Sequence, residues 1–430
     1  MKKEINSILK KEIENIKLDK KTFDEINRVC REFIYVLKNQ LKKKKIKAEV
    51  FLGGSLAKNT IIKKTEKDKY DIDIFVRFDK KSSLKKTLEK DNLSEILEKL
   101  LDKNAVKVHG SRDYYQFLKK NIRIEVIPVK KIKNPAAAEN VTDLSYFHVN
   151  YVVNKTKKNR KLSNEIMLAK AFTYAQNSYG AESYIHGFSG YALELLICHY
   201  KSFLKFIEAV AKSQERIIID DSKFYKKKEE LLMEMNESKI ISPIILIDPT
   251  FKERNALAGL SKETFEKFKK SCKDFLANPS SYFFTKKNIY DELKNNKNLK
   301  IISVKTSKQK GDIAGTKSKK FFDFFVYNIK KEFVVKNGEF EYDDEKNIAY
   351  FYLIVDKKNE EVIKGPPINI VEHLTGFKKA HPNVFIKDGI SYAKIAHNLS
   401  FEEFLKRFLE KDKKIIKEMG VREVKIIDKK

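Results

Sequence analysis

Apolar residues near the start of the chain recur with the period of an amphipathic helix. This period predicts a helix from about Lys20 to Leu41. We expect a capping box at Thr22 and Glu25 to open this helix. The apolar stripe of the predicted helix consists of Phe23, Ile26, Cys30, Phe33 and Leu37. The pattern therefore predicts a helix with one buried side.

Alternation replaces the helical period farther along the chain. The pattern predicts a strand around Lys47 to Leu52, a short helix after Gly53-Gly54-Ser55, and a second strand from Asp71 to Phe78. Successive side chains of a strand point to opposite sides of the sheet. The apolar side of the second strand carries Ile72, Ile74, Val76 and Phe78. The other side carries Asp71, Asp73, Phe75 and Arg77.

The remaining pattern divides the chain into three parts. A helix at Leu93 to Leu101 and strands around Ala105 to His109 and Ile122 to Pro128 complete a mixed sheet with helices. Residues from about Ser163 to Phe275 are predicted to be mainly helical. Beyond them, "EFVVKNG" and "NIAYFYLIVD" indicate strands, and "SVKTSKQKGDIAGTKSKK" is predicted to be a loop. We predict an α+β protein with domains at residues 1–150, 151–275 and 276–430.

Composition limits the class of protein. The chain has 430 residues, of which 42% are hydrophobic and 11% aromatic, so it has enough apolar surface to bury several cores. It contains no long apolar run, and its charged N-terminus lacks the apolar core of a signal peptide, so secretion and membrane spanning are disfavoured. The three cysteines are far apart in sequence, which argues against a disulfide framework or a zinc site. A cytoplasmic protein is expected.

The formal net charge of +30 has two interpretations. It suits a nucleic-acid partner, but only 10 of the 90 basic residues are arginine, and such a ratio also arises from biased lysine usage across a proteome. Where lysine is the default cation, an arginine such as Arg254 indicates a need for its planar fork of donors.

Three acidic residues suggest a metal site. Asp71 and Asp73 are two residues apart on one strand, so their carboxylates face the same side about 6.5 Å apart. Glu125 in "IRIEVIP" lies on the polar side of a later strand, which would place it across from the aspartates on a neighbouring strand, and three such carboxylates suit two Mg²⁺ ions. The small residues Gly53, Gly54 and Ser55 would allow a triphosphate to approach the backbone. The competing interpretation is a strand end with two solvated aspartates.

These motifs resemble those of the nucleotidyltransferase superfamily with a polymerase-beta-like catalytic domain. The segments "YFHVNYV", "LAKAF", "YGAESYIHGFSGYALELLICHYKSF", "IDPTFKERNALAGLS" and "GPPINIVEHLTGFKKAHP" are more specifically similar to those of archaeal, class I CCA-adding enzymes. The resemblance extends from the N-terminal helix to about Leu409. It implies addition of CCA to tRNA from CTP and ATP by two Mg²⁺ ions, with a helical middle domain. It also implies a C-terminal region that grips the acceptor and T-stem of tRNA, and it is compatible with a homodimer.

The resemblance also assigns roles to individual residues. Asp71, Asp73 and Glu125 would bind the metal ions, and Arg254 would help to recognise the incoming base. The residues that would contact the rest of the nucleotide are Ser55, Lys58, His148, Lys170 and Tyr179. Three positions depart from the family pattern, which commonly has glutamate at Asp71, aspartate at Glu125 and arginine at Lys58.

Each assignment has a structural alternative. Lys170 lies at helical spacing with packing residues, His148 follows two aromatic residues, Tyr179 precedes a glycine that would end a helix, and Arg254 suits a cap or an ion pair. The glycines Gly187 and Gly190 are expected to serve helix packing. Two other functions stay open: a poly(A) or oligoadenylate polymerase, and an RNA-binding protein whose catalytic site has decayed.

Overall fold

The computed structural model describes residues 2–63, 69–79, 93–307 and 309–427. It divides into two compact units, Met1–Ala181 with Ile185–Lys286, and Glu182–Tyr184 with Lys287–Lys430. The first expected domain boundary, after residue 150, lies within a helix that spans Ser145–Lys158. The three-domain division stays a prediction.

The helices of the first unit are α1 (Lys2–Ile16), α2 (Lys20–Lys43), α3 (Gly54–Ala57), α4 (Leu93–Glu98), α5 (Ser145–Lys158), α6 (Lys161–Ala175), α7 (Gly190–Tyr200), α8 (Phe203–Lys212), α9 (Lys228–Glu234), α10 (Glu237–Ile240) and α11 (Lys262–Ala277). Its strands are β1 (Ala48–Leu52), β2 (Tyr70–Phe78), β3 (Val106–Val108), β4 (Tyr114–Lys119), β5 (Ile122–Lys130), β6 (Ile217–Ile219), β7 (Ile244–Asp248) and β8 (Phe251–Asn255). Short 3-10 helices occur at Pro135–Ala137, Val141–Leu144 and Ser281–Phe284.

A mixed five-stranded sheet in the order β1-β2-β5-β4-β3 positions the acidic residues. Strands β2 and β5 are parallel, whereas their other neighbours in the sheet are antiparallel. The apolar side of β2 packs in a core with Ile26, Cys30 and Leu37 of α2, which confirms the predicted stripe. The predicted capping box is wrong. Asp19 caps α2 by accepting a 2.9 Å hydrogen bond from the Thr22 backbone N–H, and Glu25 accepts from Lys120 instead.

Helices α1, α6, α7, α8 and α11 form a second core in this unit. Ile5 and Leu9 of α1 are buried there, so the N-terminal helix packs with the helical part of the unit. The prediction of a mainly helical segment missed the small sheet β6-β7-β8. Strands β6 and β7 are short apolar runs, which periodicity cannot distinguish from buried helical turns, and β8 ("FKERN") carries only one apolar residue.

The second unit contains α12 (Ile289–Leu293), α13 (Gly311–Ile329), α14 (Val371–Ala380), α15 (Phe401–Lys411) and α16 (Lys413–Glu418). Its strands are β9 (Leu299–Thr306), β10 (Phe333–Asp343), β11 (Ile348–Lys357), β12 (Glu361–Pro367), β13 (Val384–Lys387), β14 (Ile390–Ile395) and β15 (Val421–Ile427). They form two antiparallel sheets, in the orders β10-β11-β9-β15 and β12-β14-β13.

The predicted loop "SVKTSKQKGDIAGTKSKK" is wrong, because the end of β9 and the first half of α13 occupy it. The side of α13 that is buried along this segment consists of the small residues Ala314, Gly315 and Ser318. A search for large apolar residues does not detect such a helix. In the part of the chain that the structure describes, no helix combines the length and apolar character needed to span a membrane.

Candidate active site

The glycine pair connects β1 to α3 and lies directly against β2. The Gly53 N–H donates a 2.8 Å hydrogen bond to the Asp73 carbonyl. Gly54 has φ +58°, and a Cβ atom at this position would lie 1.7 Å from Asp73 Oδ2. The backbone angle and the short distance both require glycine at residue 54. Residues with an L side chain rarely adopt this left-handed conformation, and a side chain here would overlap Asp73. The loop therefore holds the carboxylate of Asp73 against backbone.

The parallel pairing of β2 and β5 brings the acidic residues together. Asp73 is the register partner of Glu125, and Asp71 is the partner of Arg123. Arg123 Nη1 lies 3.6 Å from Asp71 Oδ1, and Gln116 Nε2 donates a 2.8 Å hydrogen bond to Glu125 Oε1. The predicted placement of Glu125 across from the aspartates on a neighbouring strand is thus what the structure has.

The electrostatics of this cluster favour a bound cation. Burial raises the pKa of Asp73 despite the opposing charge of Lys58, and the negative charge of Asp71 raises it further. Burial, followed by the charges of Asp73 and Asp71, raises the pKa of Glu125 to about 7. A divalent ion would compensate this crowding of negative charge.

The cluster fits a divalent ion by its chemistry and by its strand register. Among the residues that the structure describes, no three acidic, histidine or cysteine side chains are yet close enough to enclose a metal ion. Asp73 and Glu125 are nevertheless adjacent across the two strands, and carboxylate oxygen is the ligand type that Mg²⁺ prefers.

A cavity of about 590 Å³ opens beside the aspartates. Six of the predicted site residues line it, namely Ser55, Lys58, Asp71, Asp73, Lys170 and Tyr179. Residues of α1, including Lys11 and Asn15, contribute to another part of its wall. Gly190 also lines the cavity, and a Cβ atom there would lie 2.9 Å from the Tyr179 hydroxyl. Glycine at residue 190 therefore makes room for Tyr179 in the cavity, beyond the helix packing expected for it.

Two buried lysines share one glutamate on the cavity wall. Lys58 Nζ donates to Glu194 Oε2 at 2.6 Å, and Lys170 Nζ donates to Glu194 Oε1 at 2.7 Å. The Thr60 hydroxyl accepts from Lys170 at 2.8 Å and donates to Glu194 at 3.1 Å. Burial lowers the pKa of Lys170, whereas the charge of Glu194 opposes that decrease. The arrangement places positive charge beside the carboxylates, as a triphosphate site requires.

His148 and Arg254 meet at a second buried acid, Asp248. His148 Nε2 lies 2.9 Å from Asp248 Oδ2, and Arg254 Nη1 donates to the same oxygen at 2.8 Å. The Tyr191 hydroxyl donates to Asp248 Oδ1 at 3.0 Å, and its ring stacks on His148 with centroids 4.1 Å apart. Burial alone would raise the pKa of Asp248, but the hydrogen bond and charge of His148 and the charge of Arg254 lower it overall.

Tyr191 connects the cavity to the Asp248 cluster. Its side chain lines the cavity, and the Arg254 guanidinium lies 5.6 Å from the centre of its ring. Glu125, His148 and Arg254 are outside the cavity lining. The structure thus divides the predicted residues into a cavity group and a group around Asp248, with Glu125 held beside the aspartates by β5.

Sequence reasoning missed Glu194, Thr60, Tyr191 and Asp248. Glu194 was detectable as the one acidic residue in the apolar helix sequence "GYALELLICHY" of α7, since an unpaired buried acid is rare. Asp248 lies in the segment "IDPTFKERN", in which only Arg254 is predicted as a site residue. No local signal pairs either acid with its distant partners.

Comparison with known proteins identifies the family. Residues 3–147 match the description "Second Messenger Oligonucleotide or Dinucleotide Synthetase domain", and residues 164–285 match "tRNA nucleotidyltransferase, second domain". A CCA-adding enzyme of Nanoarchaeum equitans is 34% identical over 372 residues, which cover 84% of this chain and 87% of that protein. The chain belongs to the family of CCA-adding enzymes. Another CCA-adding enzyme, from Methanocaldococcus jannaschii, is 29% identical over 404 residues, covering 89% of this chain and 86% of that protein.

The fold agrees with this membership. A crystal structure of the Cid1 poly(U) polymerase with Mg and 3'-dATP bound is similar with a TM-score of 0.51 and 14% identity, covering 67% of this chain and all of that chain. The predictions of an α+β, polymerase-beta-like fold, of a nucleotidyltransferase and of relationship to the CCA-adding enzymes are confirmed. The roles of individual site residues stay predictions.

Proposed function

We propose that this protein adds C, C and A to the 3' ends of immature tRNA from CTP and ATP, without a nucleic-acid template. The observation that carries the proposal is the cavity in which Asp71 and Asp73 lie beside Ser55, Lys58 and Lys170. Carboxylates for metal ions and cations for phosphates are the two components that nucleotidyl transfer needs. Membership of the CCA-adding enzymes supports the choice of tRNA over other primers.

The residues have distinct roles in this proposal. Asp71, Asp73 and Glu125 would hold two Mg²⁺ ions, which stabilise the charge on the transferred phosphoryl group when bound. Lys58 and Lys170 are both buried in the cavity wall, and their ammonium groups would contact the triphosphate from there. Ser55 and Tyr179 would donate hydrogen bonds to the nucleotide from the cavity lining.

Selection of the base would depend on the cluster around Asp248. Asp248 accepts from Nη1 of Arg254 and contacts His148, so it fixes the orientation of both side chains. An arginine has five N–H donors in a planar fork, which suits acceptors on the pairing edges of cytosine and adenine. Uracil and guanine present an imino N–H at the corresponding position, where an arginine offers no acceptor.

The tRNA would be bound through its shape and backbone by residues of the second unit. The net charge of +30 is suited to a polyanion, and A-form RNA exposes its phosphates and 2'-hydroxyl groups rather than its base sequence. The acceptor and T-stem are the part of tRNA closest to its 3' end, which makes them the expected target.

The test uses a tRNA that ends at the discriminator base, labelled CTP or ATP, and sequencing of the 3' end after incubation. Ordered addition of C, C and A supports the proposal. Extension by ATP alone into a homopolymer would indicate a poly(A) or oligoadenylate polymerase. Binding of tRNA without metal-dependent pyrophosphate release would indicate an RNA-binding protein with a decayed site.

A further inference from the structure

Three separate elements bring their charged side chains to one buried point in the cavity wall. Lys58 follows α3, Lys170 lies on α6, and Glu194 lies on α7. The exposed fraction is 7% for Lys58, 4% for Lys170 and 1% for Glu194. Because each oxygen of Glu194 accepts from a different lysine, one carboxylate determines the positions of both ammonium groups.

The balance of charge explains why the carboxylate is needed. Two ammonium groups that are buried side by side repel each other and have lost most of their hydration, so one of them would release its proton or leave the site. Burial would raise the pKa of Glu194, but the charges of Lys170 and Lys58 lower it overall, which keeps the carboxylate ionised. The trio then has a net charge of about +1 while all three groups remain charged.

We propose that Glu194 is the positioning residue of the triphosphate site, and that its carboxylate holds Lys58 and Lys170 side by side and keeps Lys170 charged before the nucleotide binds. The inference rests on the proposed function only in taking the ligand to be a nucleoside triphosphate. Thr60 supports the arrangement by bridging Lys170 and Glu194 through its hydroxyl. Glu194 thus acts through the lysines and has no chemical step of its own.

Other charged and titratable groups lie near this trio. They are Asp71 and Asp73 of β2, His148 of α5, and Tyr191 and Cys198 of α7. Asp73 acts in the same direction as Glu194, since its charge also raises the pKa of Lys170. Glu194 differs from them in making the hydrogen bonds, so its removal changes both the charge and the geometry of the lysines.

The variant Glu194→Gln keeps the shape of the side chain and removes its charge. CTP binding to the full-length protein without tRNA is measured by calorimetry between pH 6.5 and 9. We expect the affinity of Glu194→Gln to fall progressively below that of the wild type as pH rises, by up to about tenfold per pH unit once Lys170 loses its proton, because burial lowers the pKa of Lys170 and the opposing charge of Glu194 is gone. In addition assays at high pH, KM for CTP should rise while kcat at saturation changes little.

The matched control is Glu165→Gln on α6, the helix that carries Lys170. Glu165 accepts a 2.7 Å hydrogen bond from the Phe203 backbone N–H and lies outside the cavity lining. Its pH profile for CTP affinity should parallel that of the wild type. If Glu194→Gln also parallels the wild type, or if both variants lose affinity equally, the positioning role of Glu194 is wrong.

A measurement on the wild type covers the case in which Glu194→Gln does not fold. Calorimetry of CTP binding at pH 8.5 in two buffers of different ionisation enthalpy counts the protons that binding takes up. Lysines that are already charged take up none, so a count close to zero supports the proposal and a count near one overturns it. A wild type that binds CTP without extending tRNA would refute the proposed function and leave this test valid.

Discussion

Substitution of Gly54 by alanine should disable catalysis through the position of Asp73. The distance from the new Cβ atom to Asp73 Oδ2 would be 1.7 Å, and it must lengthen to at least 3.0 Å before the contact is tolerable. The Gly53 hydrogen bond to the Asp73 carbonyl ties the loop to β2, so the carboxylate has to move and the loop cannot retreat independently.

Two contributions set the size of the effect. A non-glycine residue in the left-handed conformation costs about 1–2 kcal/mol, which lowers the free energy of unfolding by that amount. Displacing a catalytic group by about 1 Å reduces the rate by roughly 100-fold. We therefore expect a small loss of stability and a large loss of kcat, since the carboxylate moves while the protein stays folded.

Single-turnover addition of CMP to tRNA is the assay, and urea denaturation reports stability. The matched control is Gly259→Ala in the same unit, where no atom lies within 4 Å of the added Cβ and the backbone is not left-handed. Gly259→Ala should keep wild-type activity. A Gly54→Ala protein whose rate is within threefold of the wild type would refute the argument that this loop positions Asp73.

Three further predictions follow from the site. Asp71→Ala and Asp73→Ala should each abolish nucleotide addition and leave tRNA affinity in filter binding nearly unchanged; near wild-type turnover in either variant would remove the metal assignment. In metal-free buffer, the pKa of Glu125 in the folded protein is about 7, above its ordinary value of 4.5. Between these two pH values Glu125 is protonated in the folded state and ionised in the unfolded chain. The free energy of unfolding should therefore fall as pH rises from 4.5 to 7. Urea denaturation of Glu125→Gln should show a smaller fall, because the raised pKa of Asp73 still contributes in the same direction, and an unchanged pH profile would contradict the shift. Arg254→Ala and Arg254→Lys should both reduce the preference for CTP and ATP over UTP by about 5-fold to 150-fold in kcat/KM, because alanine removes the guanidinium and lysine lacks its planar fork of donors. If both variants keep the full preference, Arg254 is only an ion-pair partner of Asp248.

Local pattern was sufficient for much of the fold. Alternation along β2 correctly assigned Ile72 and Ile74 to the core and Asp71 and Asp73 to the opposite side. The period of α2 correctly identified its buried stripe. Both predictions succeed because the direction of a side chain depends on the backbone repeat of its own element. The predictions failed where buried residues are small, as in α13, or where apolar runs are short, as in β6 and β7.

Only the tertiary structure decided which residues far apart in sequence contact each other. Residue numbers alone do not indicate that β2 pairs in parallel with β5, and that pairing makes Asp73 the neighbour of Glu125. Lys58 and Glu194 are separated by 136 positions and meet only because α7 packs beside the loop that follows β1. The period of an element tells which side a residue faces, but the residue that lies opposite depends on how whole helices and strands pack, and local sequence carries no record of that arrangement.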